Sequence, residues 1–279
     1  MNKFYIQITL FLLSIFAYAN NEAFAAETAP GQATNPKSRF ATPEEVYEKN
    51  KHLLRTCKHC VRAPDVMNDA VKQLEYHATS KDGYEVYAQN PSDSMSYYVK
   101  KFDGKTDILK VNLNIYASSQ YNDIVNRLWD PNGPNFFNKG TAKIVRVYNP
   151  NLVIIQQRYN KDSKGRQKYF YALVGKAEIS KDKTIIAMTS ANINDHNPSG
   201  KKYQNKIVQK ANSFTTDINS EEDIKNGELE KVFVNIAGYL IEKKNRCADV
   251  TYVESIDGHS SIKRRPYPGL FCVCYYAHA

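Results

Sequence analysis

The sequence predicts an α+β fold in which a curved antiparallel sheet holds most of the chain. Three observations lead to this prediction. Helical periodicity is confined to the first part of the chain and to one later segment. From residue 84 onward, short alternating apolar runs are separated by Asn, Asp, Gly and Lys turns. Several of these runs are apolar on both sides, so both faces of the sheet have to cover something.

Length and composition are sufficient for such a domain. The chain has 279 residues, of which 42% are hydrophobic and 12% aromatic, so it can bury a substantial core. Its beginning differs: Lys3 precedes an apolar run over residues 4–18, and the small-residue pattern Ala23-Phe24-Ala25 follows. This predicts a signal peptide over residues 1–25. The run is shorter than the roughly 20 residues of a membrane span, and an uncleaved anchor is the alternative.

The helices are predicted from their start and stop signals. Residues 26–41 have no period and read as a flexible leader. Thr42-Pro43-Glu44-Glu45 then forms a capping box with Pro at the first helical position. A second helix is expected from Pro64, and a third over residues 119–129, where the sequence DPNGP ends it.

The remaining periodic segments have the period of two that half-buried strands show. The nine predicted strands lie at residues 84–87, 95–102, 106–116, 143–148, 152–159, 168–179, 184–192, 232–243 and 250–257. A polar excursion over residues 197–231 interrupts them. Nine short strands with one helix between them give an antiparallel sheet that has to curl.

The stretch TSANINDHNP at residues 189–198 holds a candidate reactive pair, Asp195 and His196. Metal binding or acid/base chemistry is one interpretation. However, no Glu or Cys stands at ligand spacing from the pair. We therefore expect a strand end followed by a polar turn at the rim of a cavity.

The five cysteines allow several arrangements. Cys57 and Cys60 have the spacing of a redox dithiol, and together with Cys272 and Cys274 they could supply four zinc ligands. The C-x-x-C pair follows a helix instead of a strand, and C-x-C is a poor half-site for zinc. Structural disulfides or buried thiols are therefore favoured, without a cofactor or metal.

The net charge of +9 favours anionic partners. Basic residues gather at residues 161–168 (KDSKGRQK), 201–202 and 263–265. Aromatic residues do not alternate with them as they do in sites for single-stranded nucleic acid. Together with secretion, this predicts contact with a membrane surface through basic loops and no nucleic acid. Solvated loops are the plainer alternative.

Motifs in the later strands carry a resemblance to a known family. The residues GYLIE at 238–242 and VTYVESIDG at 250–258, with WDPN at 129–132, resemble the START lipid-transfer domain. More of the chain is similar to the fam-a proteins of malaria parasites. That likeness runs from the leader to about residue 262 through PEEVYEKNKHLL, LEYHATSKDGYEVY, VRVYNPNLVIIQQRY, QKYFYALVGKAEIS, TSANINDHNPS and KVFVNIAGYLIEKK.

The START resemblance implies a helix-grip fold over residues 42–262. In this fold a curved sheet clamps a long C-terminal helix, and a lipid is held between them without catalysis. The fam-a resemblance adds secretion to the parasitophorous vacuole or export to the host erythrocyte, with a phospholipid, especially phosphatidylcholine, as cargo.

Matching positions and strand parity then predict the lipid-binding residues. The wall of the cavity would comprise Asn235, Ala237, Tyr239, Ile241, Phe170, Ala172 and Val174. Gln157, or its neighbour Gln156, would supply a neutral contact to the headgroup. A single β-bulge would invert this parity.

Two features depart from the START pattern. Many START strands carry an arginine pointing into the cavity where this chain has ALV at 172–174, which argues against a charge-paired headgroup contact there. The tail, residues 263–279, contains Pro266, Pro268 and Gly269, which forbid the long gripping helix. We expect that helix to be missing through divergence, truncation or an aberrant gene end.

The expected function is that of a secreted, non-enzymatic carrier of phospholipid between membranes. Each methylene exposed to water costs about 0.8 kcal/mol, so an apolar cavity greatly eases the departure of a two-chain lipid from a bilayer. Two alternatives stay open. One is a START-like binding or interaction module that has lost transfer through its tail. The other is an enzyme that uses His196 with Asp195, or the Cys57 and Cys60 dithiol.

Overall fold

The computed structural model describes residues 40–55, 62–89, 95–103, 106–116, 120–131 and 140–259. The predicted signal peptide, most of the leader and the tail lie outside these residues. So do four cysteines, and Cys247 is a free thiol. In the part of the chain that is described, no helix has the length and apolar character needed to cross a bilayer.

The three predicted helices are present, with starts within two residues of the predicted ones, and a fourth, single-turn helix was not predicted. Those described are α1 (Pro43–Asn50), α2 (Arg62–Thr79), α3 (Tyr121–Trp129) and the single turn α4 (Glu222–Lys225). The capping box of α1 is formed: the Glu45 N–H donates to Thr42 Oγ1 at 3.2 Å, and the Thr42 N–H donates to the Glu45 carboxylate at 2.9 Å. In α2, the side chains of Met67, Ala70 and Leu74 form the buried stripe.

The strands occupy most of the rest. Those described are β1 (Glu85–Gln89), β2 (Met95–Phe102), β3 (Thr106–Ile115), β4 (Gly140–Asn149), β5 (Leu152–Tyr159), β6 (Lys168–Ser180), β7 (Lys183–Thr189), β8 (Asn192–Asn194), β9 (Thr215–Asp217), β10 (Glu230–Lys231), β11 (Phe233–Lys243) and β12 (Ala248–Asp257).

The main sheet has the strand order β1-β2-β3-β12-β11-β7-β6-β5-β4, and these neighbours pair antiparallel. The two-residue strand β10 adds a parallel pair to β6, while β8 and β9 form a separate small parallel sheet. The chain thus forms a large curved antiparallel sheet with a few helices, and the predicted α+β class is confirmed.

Both faces of the sheet are buried, and each faces different helices. Helix α2 packs on one side, which we call the α2 face; Leu74 shares its apolar cluster with Leu173 and Leu240. Helices α1 and α3 cover the other side, the α3 face, where Trp129 shares a second cluster with Ala172. Alternation along β6 therefore sends successive side chains into two different cores.

The predicted strand 184–192 is wrong at its end. Strand β7 stops at Thr189, and residues 192–194 join the small sheet instead. The side-chain amide of Asn205 explains the break, because it donates hydrogen bonds to the carbonyl oxygens of Ser190 at 3.2 Å and Asn235 at 3.0 Å. These two carbonyl oxygens accept from Asn205 and so do not continue the ladder of backbone hydrogen bonds between β7 and β11.

The excursion over residues 197–231, which we call the strap, is less polar than the sequence suggested. It buries Val208, Ala211, Phe214 and Ile224 in the cluster of the α2 face. These residues follow no helical or strand period, so periodicity gave no sign of their burial. The strap is therefore a packed layer of the fold.

Candidate functional site

Six of the seven predicted wall residues lie together on the α3 face. Each is at most 5% exposed, and all belong to one apolar cluster: Phe170, Ala172, Val174, Ala237, Tyr239 and Ile241. The register explains why the predicted residues of β6 and β11 face the same side of the sheet, because Val174 of β6 and Ala237 of β11 both pair with Met188 of β7. The predicted strand parity is correct for these six. Their contact with a lipid stays a prediction.

Asn235 is placed differently, because β11 contains a bulge. The register with β12 shifts between Val234 and Ile236. Asn235 lies at this shift, and its amide donates to the Asp257 carboxylate at 3.0 Å. Before the bulge the parity is inverted, and Val234, expected on the opposite side from Ala237, shares its cluster.

The two glutamines of β5 point to opposite faces. Gln157 is 3% exposed and pairs with Phe170, so it belongs to the α3 face, where its amide donates to the Arg158 carbonyl at 3.0 Å. Gln156 faces the strap and donates to the Tyr171 hydroxyl at 2.6 Å. Of the two, only Gln157 is positioned beside the wall.

A buried carboxylate that the sequence reasoning missed lies among the wall residues. Glu254 of β12 is 1% exposed and pairs with Ala237, which places it on the α3 face. The Tyr252 hydroxyl donates a hydrogen bond to its carboxylate. The alternation of Val250, Tyr252 and Glu254 in one strand was the signal that could have revealed it.

Three tyrosine hydroxyls lie within the electrostatic reach of Glu254. Burial raises the pKa of Tyr159, Tyr239 and Tyr252 well above the usual value, and the charge of Glu254 raises each further. The three hydroxyls therefore stay protonated, and that of Tyr252 donates to the carboxylate. Glu254 and the three tyrosines form what we call the polar cluster of the wall.

Two buried donors of the α3 face, one of them in the polar cluster, have no acceptor among the described residues. They are the hydroxyl of Tyr159 and the indole N–H of Trp129. The Tyr159 ring is held in place by stacking on His259, with ring centroids 4.7 Å apart. Buried donors are normally satisfied, so a site with two open donors suits a ligand that brings acceptor oxygens.

Beyond the polar cluster the α3 face becomes aliphatic. Ile241 pairs with Val250, which pairs in turn with Leu113, and all three are at most 3% exposed. Glu254 follows Val250 by four positions in β12, which corresponds to about 13 Å along the strand. The wall thus has a polar region and an apolar end, the arrangement that an amphipathic ligand requires.

The Asp195–His196 pair does not form a reactive centre. Asp195 is 3% exposed and accepts hydrogen bonds from the Tyr169 hydroxyl and from Lys231 Nζ, both at 2.9 Å. The His196 side chain is half exposed, with Nε2 3.9 Å from the Asp217 carboxylate. Tyr169 belongs to the α2 face, so the expectation that Asp195 lies at the rim of the wall is wrong.

Other candidate sites are polar or incomplete. A surface depression of about 410 Å³ is lined by polar side chains of the strap, including Asn205 and Lys206, and does not suit acyl chains. No group of three or more His, Cys, Asp or Glu side chains that could hold a metal ion occurs among the described residues. The zinc and dithiol alternatives rest on cysteines outside that part of the chain.

Comparison with solved structures defines the fold class. The chain has the START-like helix-grip architecture, with an open curved antiparallel sheet. It is similar to human StAR-related lipid transfer protein 5, with a TM-score of 0.51 and 11% sequence identity over 73% of this chain and 86% of that one. At this identity the likeness shows the fold.

Two further solved structures match with lower scores. Human STARD10 matches with a TM-score of 0.45 and 12% identity, over 69% of this chain and 68% of that chain. The human StarD13 lipid transfer and protein localization domain matches with a TM-score of 0.40 and 16% identity, over 68% of this chain and 83% of that chain. These scores are too low to carry an argument. No protein-family model and no curated protein matches the sequence.

Proposed function

We propose that the protein is a non-enzymatic lipid carrier that holds a phospholipid against the α3 face of its sheet. The observation that carries this proposal is the wall itself: a buried surface that is aliphatic at one end, contains Glu254 among tyrosine hydroxyls, and has two buried donors without acceptors. Acyl chains match the aliphatic end. The shared architecture with a lipid transfer protein agrees with this assignment.

Phosphatidylcholine is the cargo that we propose. A quaternary ammonium group is attracted by a carboxylate and by aromatic faces, and Glu254 lies with Tyr239 and Tyr252, whose ring centroids are 5.4 Å apart. The phosphate brings acceptor oxygens that suit the donors of Tyr159 and Trp129. Gln157 would contribute a neutral contact. A zwitterionic headgroup therefore fits this region better than an anionic one, which Glu254 would repel.

Secretion and delivery toward a host cell complete the proposal, on the strength of the leader sequence and the fam-a resemblance. Exchange needs no energy source, because a bilayer and an apolar cavity are similar solvents for acyl chains. The predicted basic loops add electrostatic attraction to anionic membranes, by about 1 kcal/mol for each cation close to the surface.

A pair of matched substitutions tests the proposal. Ala172 belongs to the wall on the α3 face, and Ala187 lies on the α2 face; both are fully buried. If a lipid lies against the wall, Ala172→Phe should occupy its space, so that transfer of fluorescent phosphatidylcholine between liposomes falls by tenfold or more while the urea midpoint changes little.

Ala187→Phe overpacks the interface with α2 and should lower the free energy of unfolding by about 1–3 kcal/mol, while transfer by the folded fraction is retained. The reverse pattern, a large loss of stability in Ala172→Phe with unchanged transfer, would mean that the wall is an ordinary packed core.

Glu254→Gln should reduce the preference for phosphatidylcholine over phosphatidylserine without unfolding the protein.

A further inference from the structure

One surface at the edge of the α2 face, on the other side of the sheet from the wall, combines exposed apolar side chains with lysines. It lies where the end of α2 meets β1 and β2, and we call it the lysine–tyrosine corner; its members are Tyr76, Lys81, Tyr84, Val86, Lys100 and Lys110. Tyr76 is 48% exposed and Val86 is 60% exposed, while the adjacent Tyr87 is 46% exposed. These are three of the six exposed large hydrophobic side chains among the described residues.

The lysines of the corner lie over tyrosine rings. Lys110 Nζ lies 4.0 Å from the ring centroid of Tyr84 and 5.3 Å from that of Tyr98. Lys100 Nζ lies 5.7 Å from Tyr84 and 6.0 Å from Tyr76. These cation–π contacts tie the rings and the ammonium groups into one continuous surface.

The positive charge of this surface is incompletely neutralised. Lys110 is 4% exposed, donates to the Ser80 carbonyl at 2.5 Å, and forms no ion pair with a carboxylate of the described residues. Lys100 Nζ lies 3.5 Å from the Asp82 carboxylate, and the Asp82 side chain is 80% exposed. Lys72, one helical turn before Tyr76, adds a further exposed cation. Among the acidic residues near this edge, Glu85 is exposed and Glu75 is paired with Lys183 at 2.6 Å.

The field of these lysines is felt by a neighbouring group. Burial, together with the charges of Lys100 and Lys110, lowers the pKa of His77 to about 4. The His77 ring nitrogen lies 3.0 Å from the Tyr84 hydroxyl, so His77 adjoins the corner.

The predicted basic runs at residues 161–168 and 201–202 are a poorer membrane contact than this corner, and the run at 263–265 lies outside the described residues. In the loop over residues 161–168, Arg166 pairs with Asp162 at 3.0 Å and Lys168 lies 3.9 Å from Glu230. Lys201 also pairs with Glu230, at 3.3 Å. None of the exposed large hydrophobic side chains of the described residues falls in these loops.

We propose that the lysine–tyrosine corner is a docking surface for an anionic lipid bilayer. Tyrosine is the side chain that settles at the level of lipid headgroups, with its ring toward the acyl chains and its hydroxyl in water. Lysines beside it meet the anionic headgroups. Exposed Tyr and Val rimmed by lysines match both requirements. The docking surface deepens the proposed carrier function, yet vesicle binding can be measured without any lipid transfer.

The test is binding of the full chain to vesicles of phosphatidylcholine with phosphatidylserine, compared with phosphatidylcholine alone. We expect binding that depends on phosphatidylserine. Lys72→Glu with Lys81→Glu should weaken it on the order of tenfold or more, and Tyr76→Ser with Val86→Ser should weaken it several-fold. All four side chains are exposed, so thermal unfolding should stay near that of the parent protein.

The matched control is Lys161→Glu with Lys164→Glu, which makes the same change of net charge in the predicted basic loop. It should weaken binding by less than about threefold, through long-range attraction alone. Equal losses in the two charge variants, or unchanged binding in the Tyr76 and Val86 variant, would overturn the proposal. So would a change from dimer to monomer in that variant with unchanged vesicle binding, because the corner would then contact a second copy of the chain. Loss of transfer with intact vesicle binding would count against the carrier function only.

Discussion

At the scale of single residues, Asp195 shows how a reactive-looking sequence becomes a structural contact. Its carboxylate is 3% exposed and holds two elements together, through Tyr169 of β6 and Lys231 of β10. A charge buried this deeply is tolerated when both an ion pair and a hydrogen bond compensate it. His196, the next residue, has a positive φ of 61° and turns its ring outward.

This difference gives the first prediction. Asp195→Ala leaves Lys231 without its buried partner and should lower the free energy of unfolding by about 3 kcal/mol. His196→Asn keeps a residue that tolerates positive φ and should change it by less than about 0.5 kcal/mol. Urea unfolding measures both, and lipid transfer by the folded fraction should be retained. Comparable small effects of the two changes would show that Asp195 is not a structural anchor.

The buried histidines make stability depend on pH. Burial lowers the pKa of His77 to about 4, helped by Lys100 and Lys110, and burial with Lys168 lowers that of His259 to about 4. In the unfolded chain a histidine titrates near 6.5. Between these values the unfolded state binds more protons than the folded state, so stability falls as the pH decreases from about 6.5 to about 4.

The second prediction follows from this proton linkage. Each histidine should cost about 3 kcal/mol of unfolding free energy across that pH window. His77→Gln keeps a partner for the Tyr84 hydroxyl and should remove roughly half of the pH dependence contributed by the two histidines. The measurement is the urea midpoint at pH 7 and pH 4 for both proteins. An unchanged slope in His77→Gln would contradict the assignment.

At the scale of elements, the strap is fastened to the sheet by polar side chains, and Arg158 makes the largest set of these contacts; Lys143 and Arg146 of β4 add others. Arg158 of β5 donates to Asp223 at 2.5 and 2.9 Å and to Glu221 at 3.1 Å. The Arg158 guanidinium holds the pKa of the Asp223 carboxyl below its usual range. Apolar residues of the strap, such as Phe214, pack beneath this contact. The ion pairs therefore fix the position of a segment whose burial is otherwise apolar.

The third prediction concerns this fastening. Arg158→Ala leaves Asp223 without its ion-pair partner, while Glu221 keeps Lys143 and Gln156. The strap should therefore open more often, by on the order of tenfold, and cleavage by protease within residues 197–231 should accelerate accordingly. Arg166→Ala is the matched control, because its pair with Asp162 is exposed at the surface and contributes little. Equal cleavage rates in the two variants would contradict a special role for Arg158.

Sequence patterns predicted some elements well and others poorly, for physical reasons. The capping box at Thr42 and the alternation in β6 are local signals, and they correctly predicted the start of α1 and the two faces of β6. The bulge at Asn235 depends on the neighbouring strand and on Asn205, which is distant in sequence, so alternation alone misplaced Val234. The burial of the strap depends on α2 and the sheet together, and no local pattern reports it.

At the scale of the whole molecule, the sheet separates two roles. The α2 face is a packed core, formed with α2 and the strap, and Ala187 lies within it. The α3 face combines the wall with the polar cluster around Glu254. Parity predicted the apolar part of the wall, Ala172 and Ile241 among it, and of the polar cluster only Tyr239. The rest of the polar cluster was not predicted, because Tyr159 and Glu254 are 95 residues apart in the sequence and only the folded sheet brings their side chains together.

The most direct measurement of the central claim is the lipid content of the purified protein. The folded full chain is extracted with organic solvent and the extract is analysed by mass spectrometry, with Ala172→Phe purified in parallel as the matched comparison. We predict close to one phospholipid per chain, mainly phosphatidylcholine, and markedly less in Ala172→Phe. The absence of phospholipid from the folded protein, together with no transfer between liposomes, would contradict the account.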